Sequence, residues 1–286
     1  MIGFIGLGIM GNHMAENLLD HGYELVVHNR TKSKATNLLA KGAIWADSPQ
    51  ALAKQVDVVI TMLTNEEVVN QLAFGPLGFL THAEVPLWVD CSTVGPKASI
   101  AFAQRAEEQG ARFLDAPVSG SKIPAQKGEL IFLVGGDQGD LAQVRPMLEV
   151  MGKDIQYHGE HGKGSAMKLV INLMLAQAMA TFTEAVAFGQ AIGLEEQTLV
   201  DTLLSSPTTA PILATKRDKL IEKDFAEQFP LEHMHKDLYL VSKAAFDQGA
   251  SLPIAGVTKE LYSLAKQYGY GREDLSAIYQ LFIKNK

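Results

Sequence analysis

Three glycines, spaced as Gly6-Leu7-Gly8-Ile9-Met10-Gly11, close the apolar run that opens the chain and lead into a stretch of helical pattern. No other feature constrains the fold as much. Between a strand and a helix, the first glycine permits a tight turn. The second lets the backbone approach a pyrophosphate, and the third lets the helix pack close to the strand. The pyrophosphate would rest on the exposed amides of that helix N-terminus. A glycine-rich turn without a ligand is the bland alternative, and the strand–turn–helix context favours a dinucleotide. The same residues are apolar enough to suggest a leader peptide. No basic segment precedes them, however, and glycines interrupt the run, so a buried first strand is expected.

The first half alternates short β-branched runs with helical patterns, the signature of a parallel sheet with crossover helices. Strands are expected at 2–6, 24–29, 56–62, 87–90, 112–115, 130–134 and 155–157, and helices at 12–21, 32–41 and 98–109. Several helices end at a glycine (Gly22, Gly42, Gly110), which suits a left-handed C-terminal cap. After Gly164 no strand pattern follows. The rest reads as helices, the first of them over 165–192, roughly 40 Å long at 1.5 Å per residue. The expected fold is α/β: an N-terminal Rossmann-type, doubly wound sheet over residues 1–162, then an all-helical domain over 163–286 entered through one long helix.

The end of the second strand bears on which dinucleotide binds. An NAD site usually places Asp or Glu there to accept from the ribose 2′-hydroxyl. This chain reads His28-Asn29-Arg30-Thr31-Lys32-Ser33-Lys34, with no carboxylate. Arg30 can grip a 2′-phosphate bidentately and Lys34 can add charge, so NADP(H) is expected over NAD(H). The alternative is a solvated basic helix start, which opposes the helix dipole.

Within residues 166–176 the only polar side chains are Lys168 and Asn172. Four residues apart, they share one helix face. Burying a lone ammonium is costly, so this pair is expected to face a polar cleft. A lysine snorkelling to the surface beside a structural amide is the alternative. Asp115-Ala116-Pro117-Val118-Ser119-Gly120-Ser121 follows an apolar strand, and its Ser-Gly-Ser tail offers hydroxyls and open amides suited to a carboxylate. Asp90-Cys91-Ser92-Thr93 likewise ends a strand, where open α/β sheets bind ligands.

These segments, with Gly162-Lys163-Gly164-Ser165-Ala166-Met167-Lys168 and Lys236-Asp237-Leu238, follow one another over nearly the whole chain as in the β-hydroxyacid dehydrogenases, the 3-hydroxyisobutyrate dehydrogenase-like family, which the chain resembles. The resemblance implies that Lys168 is catalytic and that Ser119, Gly120 and Asn172 bind substrate. It places Thr93 and Lys236 beside the nicotinamide end of the cofactor, with Leu63 and Phe229 lining the same cleft. Reduction of an aldehyde by NADPH would then take its proton from Lys168. In oxidation, neutral Lys168 would accept the hydroxyl proton, eased by burial and by Lys236. The stretches 119–128 and 229–237 are similar to the glyoxylate/succinic semialdehyde reductase branch, whereas 205–212, with Thr208 and Thr209, departs from it. Glyoxylate or succinic semialdehyde is therefore the expected substrate. An NAD(P)-dependent dehydrogenase of 3-hydroxyisobutyrate or a related acid is one alternative, and a catalytically silent dinucleotide-binding assembly protein is another.

A formal charge of −7 disfavours nucleic acid and anionic membranes as partners. The lone Cys91 excludes an internal disulfide and fits a reducing, cytoplasmic setting. The uncharged run 169–183 is shorter than the roughly 20 apolar residues of a membrane span and reads as a core helix. His233 and His235 are two apart on a helical pattern, and no metal is expected. His158 and His161, flanking a glycine-rich junction, are expected at the surface. The apolar helical half, together with the oligomers known in the family, points to a homodimer or homotetramer.

Overall fold

The computed structural model describes residues 1–81 and 85–283 and divides into two compact units, Met1–Lys168 and Leu169–Lys286. Among the described residues, nine strands form one sheet: β1 (Ile2–Ile5), β2 (Leu25–His28), β3 (Ile44–Trp45), β4 (Val58–Thr61), β5 (Leu87–Asp90), β6 (Arg112–Asp115), β7 (Val118–Ser119), β8 (Leu130–Gly136) and β9 (Gly152–Gly159). The order is β3-β2-β1-β4-β5-β6-β8-β7, with β9 also paired to β8. The first six run parallel, and the order reverses at β1, the switch point at which such sheets bind dinucleotides.

The sheet is not parallel throughout, as the alternating pattern had suggested. β8 runs antiparallel to β6 and β7. Between β6 and β8 the chain holds only β7 and the short helix at Lys122–Gln126, too little to carry a full crossover back along the sheet. The two-residue strands β3 and β7 have no periodicity to reveal them in sequence.

The helices of this unit are α1 (Ile9–Asp20), α2 (Thr36–Ala40), α3 (Pro49–Ala53), α4 (Glu66–Phe74), α5 (Pro96–Glu108), α6 (Lys122–Gln126) and α7 (Gln138–Met151). Strand alternation sorts the core into two layers. Ile2, Phe4, Val27, Ile60, Val89 and Leu114 join one cluster, while Ile5, Val26, Val59, Trp88 and Phe113 join the other. Gly22, Gly42 and Gly110 take φ of +84°, +100° and +77°, the left-handed caps expected of them.

The second unit is helical: most of α8 (Lys163–Ala191), then α9 (Glu196–Ser205), α10 (Arg217–Glu222), α11 (Leu231–Asp247) and α12 (Pro253–Gln267). Its core gathers Met179, Phe182, Val186, Leu231, Met234, Leu238, Tyr262 and Tyr279. By length and composition α8 would suffice to cross a bilayer, with a mean hydropathy of 1.5 over its most apolar window. It exceeds the uncharged run because the helix continues through charged residues at both ends. Ala176, Met179, Ala180 and Val186 pack into the unit's core, as in the core helix expected from sequence.

Candidate active site

The β1–α1 turn is shaped by its glycines in three distinct ways. Gly6 adopts φ +102°, and a Cβ there would lie 2.2 Å from the Met62 carbonyl oxygen. At Gly11 a Cβ would lie 2.0 Å from the Gly6 carbonyl oxygen, so only glycine lets α1 start this close to the turn. Gly8 is different: nothing lies within 4 Å of its would-be Cβ, so the protein itself does not require glycine there. Open space over the middle glycine is what a close-lying pyrophosphate would need. The N-terminus of α1 fits the same ligand, since no side chain caps it and no acid sits in its first turn.

Two asparagines bind this turn to the end of β2. The Leu7 amide donates to Asn29 Oδ1 at 3.0 Å, and Asn12 Nδ2 donates to the Lys34 carbonyl at 2.8 Å. Asn29 Nδ2 also donates to the Thr31 carbonyl. Arg30, Thr31 and Lys34 are exposed. A polar amide thus occupies the place where a ribose-binding acid would stand, and cations flank it.

At the ends of β4 and β5, a buried network holds the loops that carry Leu63 and Thr93. Trp88 Nε1 donates to Thr61 Oγ1 at 2.8 Å, and Thr61 Oγ1 donates to Asp90 Oδ1 at 2.7 Å. The Ser92 amide donates to the same oxygen, and the Leu63 amide donates to Ser92 Oγ at 2.9 Å. Asp90 Oδ2 is buried without a hydrogen-bond partner. Burial pushes the Asp90 carboxyl up to about 6, against the pull of its bonds to Ser92 and Thr61. A raised carboxyl favours the fold in its protonated form. Its contribution is therefore complete below about pH 4 and is lost as pH rises through 6, about 3 kcal/mol in all. Asp90→Asn should escape that loss. Denaturant unfolding at pH 4 to 7 should show the Asn variant gaining on wild type toward neutrality, and a constant difference would refute this.

Ser119 ends β7, half-buried, and Gly120 follows at φ +126°, exposed. Lys168 lies on α8 with 7% of its surface exposed. His158 and His161 are half-buried rather than on the surface, and His161 Nε2 bonds the Phe113 carbonyl at 2.9 Å. The ring of His161 also packs against that of Phe113, a partner that a glycine count does not foretell.

In the helical unit, Asn172 is 1% exposed, and its Nδ2 donates to Asp237 Oδ2 at 2.6 Å. Lys236 Nζ lies 2.9 Å from Asp237 Oδ1, so the charge of Lys236 is answered by its own neighbour. Asp237 belongs to the Lys236-Asp237-Leu238 segment that carries the family resemblance, but the sequence alone assigns it no part in the site. Its burial, at 2% exposure, and its bonds to Asn172 and Lys236 mark it out. Phe229 precedes α11, its amide donating to Asp274 Oδ2, which also pairs with the buried Lys216 at 2.9 Å.

Comparison with known proteins agrees with this construction. Residues 1–159 match the family described as the NAD binding domain of 6-phosphogluconate dehydrogenase, and 162–282 match the NAD-binding family of NADP-dependent 3-hydroxyisobutyrate dehydrogenase. The chain is 40% identical to glyoxylate/succinic semialdehyde reductase 2, chloroplastic, of Arabidopsis thaliana, over 97% of this chain and 78% of that protein. Mycobacterium tuberculosis 3-hydroxyisobutyrate dehydrogenase with L-serine superposes with a TM-score of 0.88 at 31% identity, covering 99% of both chains. The structure of Psf3 in complex with NADP+ and 2-OPP superposes at 0.91 with 27% identity, covering 99% of this chain and 100% of that one. The chain belongs to the β-hydroxyacid dehydrogenases of the 3-hydroxyisobutyrate dehydrogenase type, nicotinamide-dinucleotide oxidoreductases that act on CH–OH groups.

Proposed function

We propose that the chain is an NADP(H)-dependent reductase of a small aldehyde acid, glyoxylate or succinic semialdehyde, working in the cytoplasm. The observation that carries the catalytic assignment is a lysine buried on an otherwise apolar turn, in a chain 40% identical to a glyoxylate/succinic semialdehyde reductase. When bound, a nicotinamide dinucleotide would supply hydride to the carbonyl carbon. Lys168 Nζ, as the ammonium, donates a proton to the carbonyl oxygen and stabilises the charge developing there. In the oxidative direction the neutral amine accepts the hydroxyl proton at the same atom.

Ser119 and the Gly120 amide hold the substrate carboxylate. The exposed backbone at Gly120 supports this role, since donors there are open to a ligand. Leu63 and Thr93 support the cofactor from loops that the Asp90 network holds in place. Asn172 is assigned to the substrate, and Phe229 and Lys236 to the cofactor, on the family resemblance. A homodimer or homotetramer is supported by exposed Val170, Met174, Phe188 and Phe246 on the helical unit, and sedimentation velocity would test it.

Preference for the phosphorylated cofactor rests on Arg30 and Lys34. Steady-state kinetics with both dinucleotides over a panel of aldehyde acids tests the reading. NADPH with glyoxylate or succinic semialdehyde should lead, and Arg30→Ala should lose about tenfold or more in kcat/KM for NADPH while sparing NADH, as expected for a bidentate phosphate contact. A strong native preference for NAD, or for 3-hydroxyisobutyrate oxidation, would overturn this reading in favour of the dehydrogenase alternative. No turnover anywhere in the panel would point to a silent assembly protein.

A further inference from the structure

The first amides of a helix can be served by its own side chains, Ser, Thr, Asp or Asn at the cap and Glu or Gln three residues on. The lysine-bearing helix has neither device. Its cap position is Gly162, which has no side chain, and its third residue is Ser165, too short to reach back. Both donors are instead served from the sheet. Asp115, at the end of β6, accepts from the Gly162 amide through Oδ1 and from the Ser165 amide through Oδ2, each at 2.8 Å. It is fully buried, and it performs from a remote strand what a capping box does locally.

Other contacts make this seat narrow. A Cβ on Gly164 would lie 2.1 Å from the Leu133 carbonyl oxygen, so the helix start sits directly on β8. Gly135 faces Asp115 itself, its would-be Cβ 2.7 Å from Oδ1. From α5, the Ser99 hydroxyl meets the Ser165 hydroxyl at 2.7 Å. Lys168 comes three residues after Ser165, one turn along the same helix. A helix advances 1.5 Å and turns 100° per residue, so a slip of one register would move the lysine head well out of line.

We propose that Asp115 is a positioning residue for catalysis, setting the depth and rotation of the α8 turn that carries Lys168. The proposal rests on the assignment of Lys168 as proton donor. The two amides bond different oxygens of Asp115, and a carboxylate offers an acceptor at each, while its charge opposite a helix N-terminus gains from the helix dipole. Asparagine has the same shape but one acceptor. It keeps one of the two bonds and sets an amide donor against the other.

The test uses the full-length enzyme with Asp115→Asn, Ser99→Ala and Lys168→Ala, assayed with NADPH and its 4-deuterated form. Asp115→Asn should lower kcat by about tenfold to a hundredfold, the scale of an ångström-sized misplacement. KM for the dinucleotide should stay near that of wild type, and the deuterium isotope effect on kcat should rise as the chemical step becomes slower. Ser99→Ala loosens the same helix start without changing charge and should shift both readouts in the same direction to a smaller degree. If Asp115→Asn lowers Tm but leaves kcat and the isotope effect unchanged while Lys168→Ala is inactive, Asp115 is merely structural and the inference fails alone. If Asp115→Asn does not fold, Ser99→Ala decides: an unchanged isotope effect and kcat overturn the inference. Should Lys168→Ala reduce aldehydes normally, the catalytic assignment itself falls and takes this inference with it.

Discussion

Lys168→Ala is expected to lower kcat by about 10²-fold or more while leaving NADPH affinity within about twofold, the range for removing a general acid. The lysine is buried on one turn of α8, and the residues around it from 166 to 176 are apolar apart from Asn172. On the proposed mechanism, truncation removes both the proton source and the positive charge offered to the developing alkoxide. Lys168→Arg separates the two contributions. The guanidinium keeps a positive charge but does not give up its proton, so Arg should recover little of the lost rate if proton donation dominates. Pre-steady-state hydride transfer, read from NADPH absorbance, and NADPH binding, read from its fluorescence, make the measurement. A Lys168→Ala enzyme that turns over at the wild-type rate would overturn the mechanism.

Gly11→Ala is the second large effect. Its Cβ would stand 2.0 Å from the Gly6 carbonyl oxygen, a backbone atom that cannot step aside. Helix α1 would have to move, and its amide-bearing N-terminus would leave the position suited to a pyrophosphate. The expected result is a stability loss of about 1–3 kcal/mol from overpacking and a large loss of dinucleotide affinity. Gly8→Ala is the instructive contrast. Nothing lies within 4 Å of that position and its φ of −78° suits any residue, so the fold should tolerate alanine with an unchanged Tm. Dinucleotide affinity should nevertheless fall, because the methyl would occupy ligand space. Thermal unfolding of both variants with and without NADPH separates the two effects. If Gly8→Ala retains full affinity, the cofactor does not approach at that glycine.

The parallel core of the nucleotide unit was legible because its signals are local. Buried strands read as short apolar runs, and β5 and β6 coincide with the expected 87–90 and 112–115. The reversal at β8 was not legible, since strand direction depends on how much chain bridges two strands, and periodicity within a strand carries no direction. The short strands β3 and β7 offered no period to detect. Among the site residues, Lys168 and Asn172 stood out as polar groups in an apolar helix, where the cost of burial makes them conspicuous. Asp237 did not, because an acid among the charged residues of α11 looks the same whether it faces solvent or, as here, lies buried against Asn172.

By itself, the sequence determined the class of fold, the glycine turn at its switch point and the lysine on the long helix. Each follows from backbone sterics or burial cost over a few consecutive residues. Only the tertiary structure decided which of the three glycines the fold needs, and that Asp90 bonds Thr61 and the Ser92 amide while Asp115 bonds the amides at the start of α8. A side chain's partner depends on strands and helices tens of residues away. Gly11 is forced by Gly6 close by, but Asp115 finds its role in amides at Gly162 and Ser165, which folding alone brings within 2.8 Å.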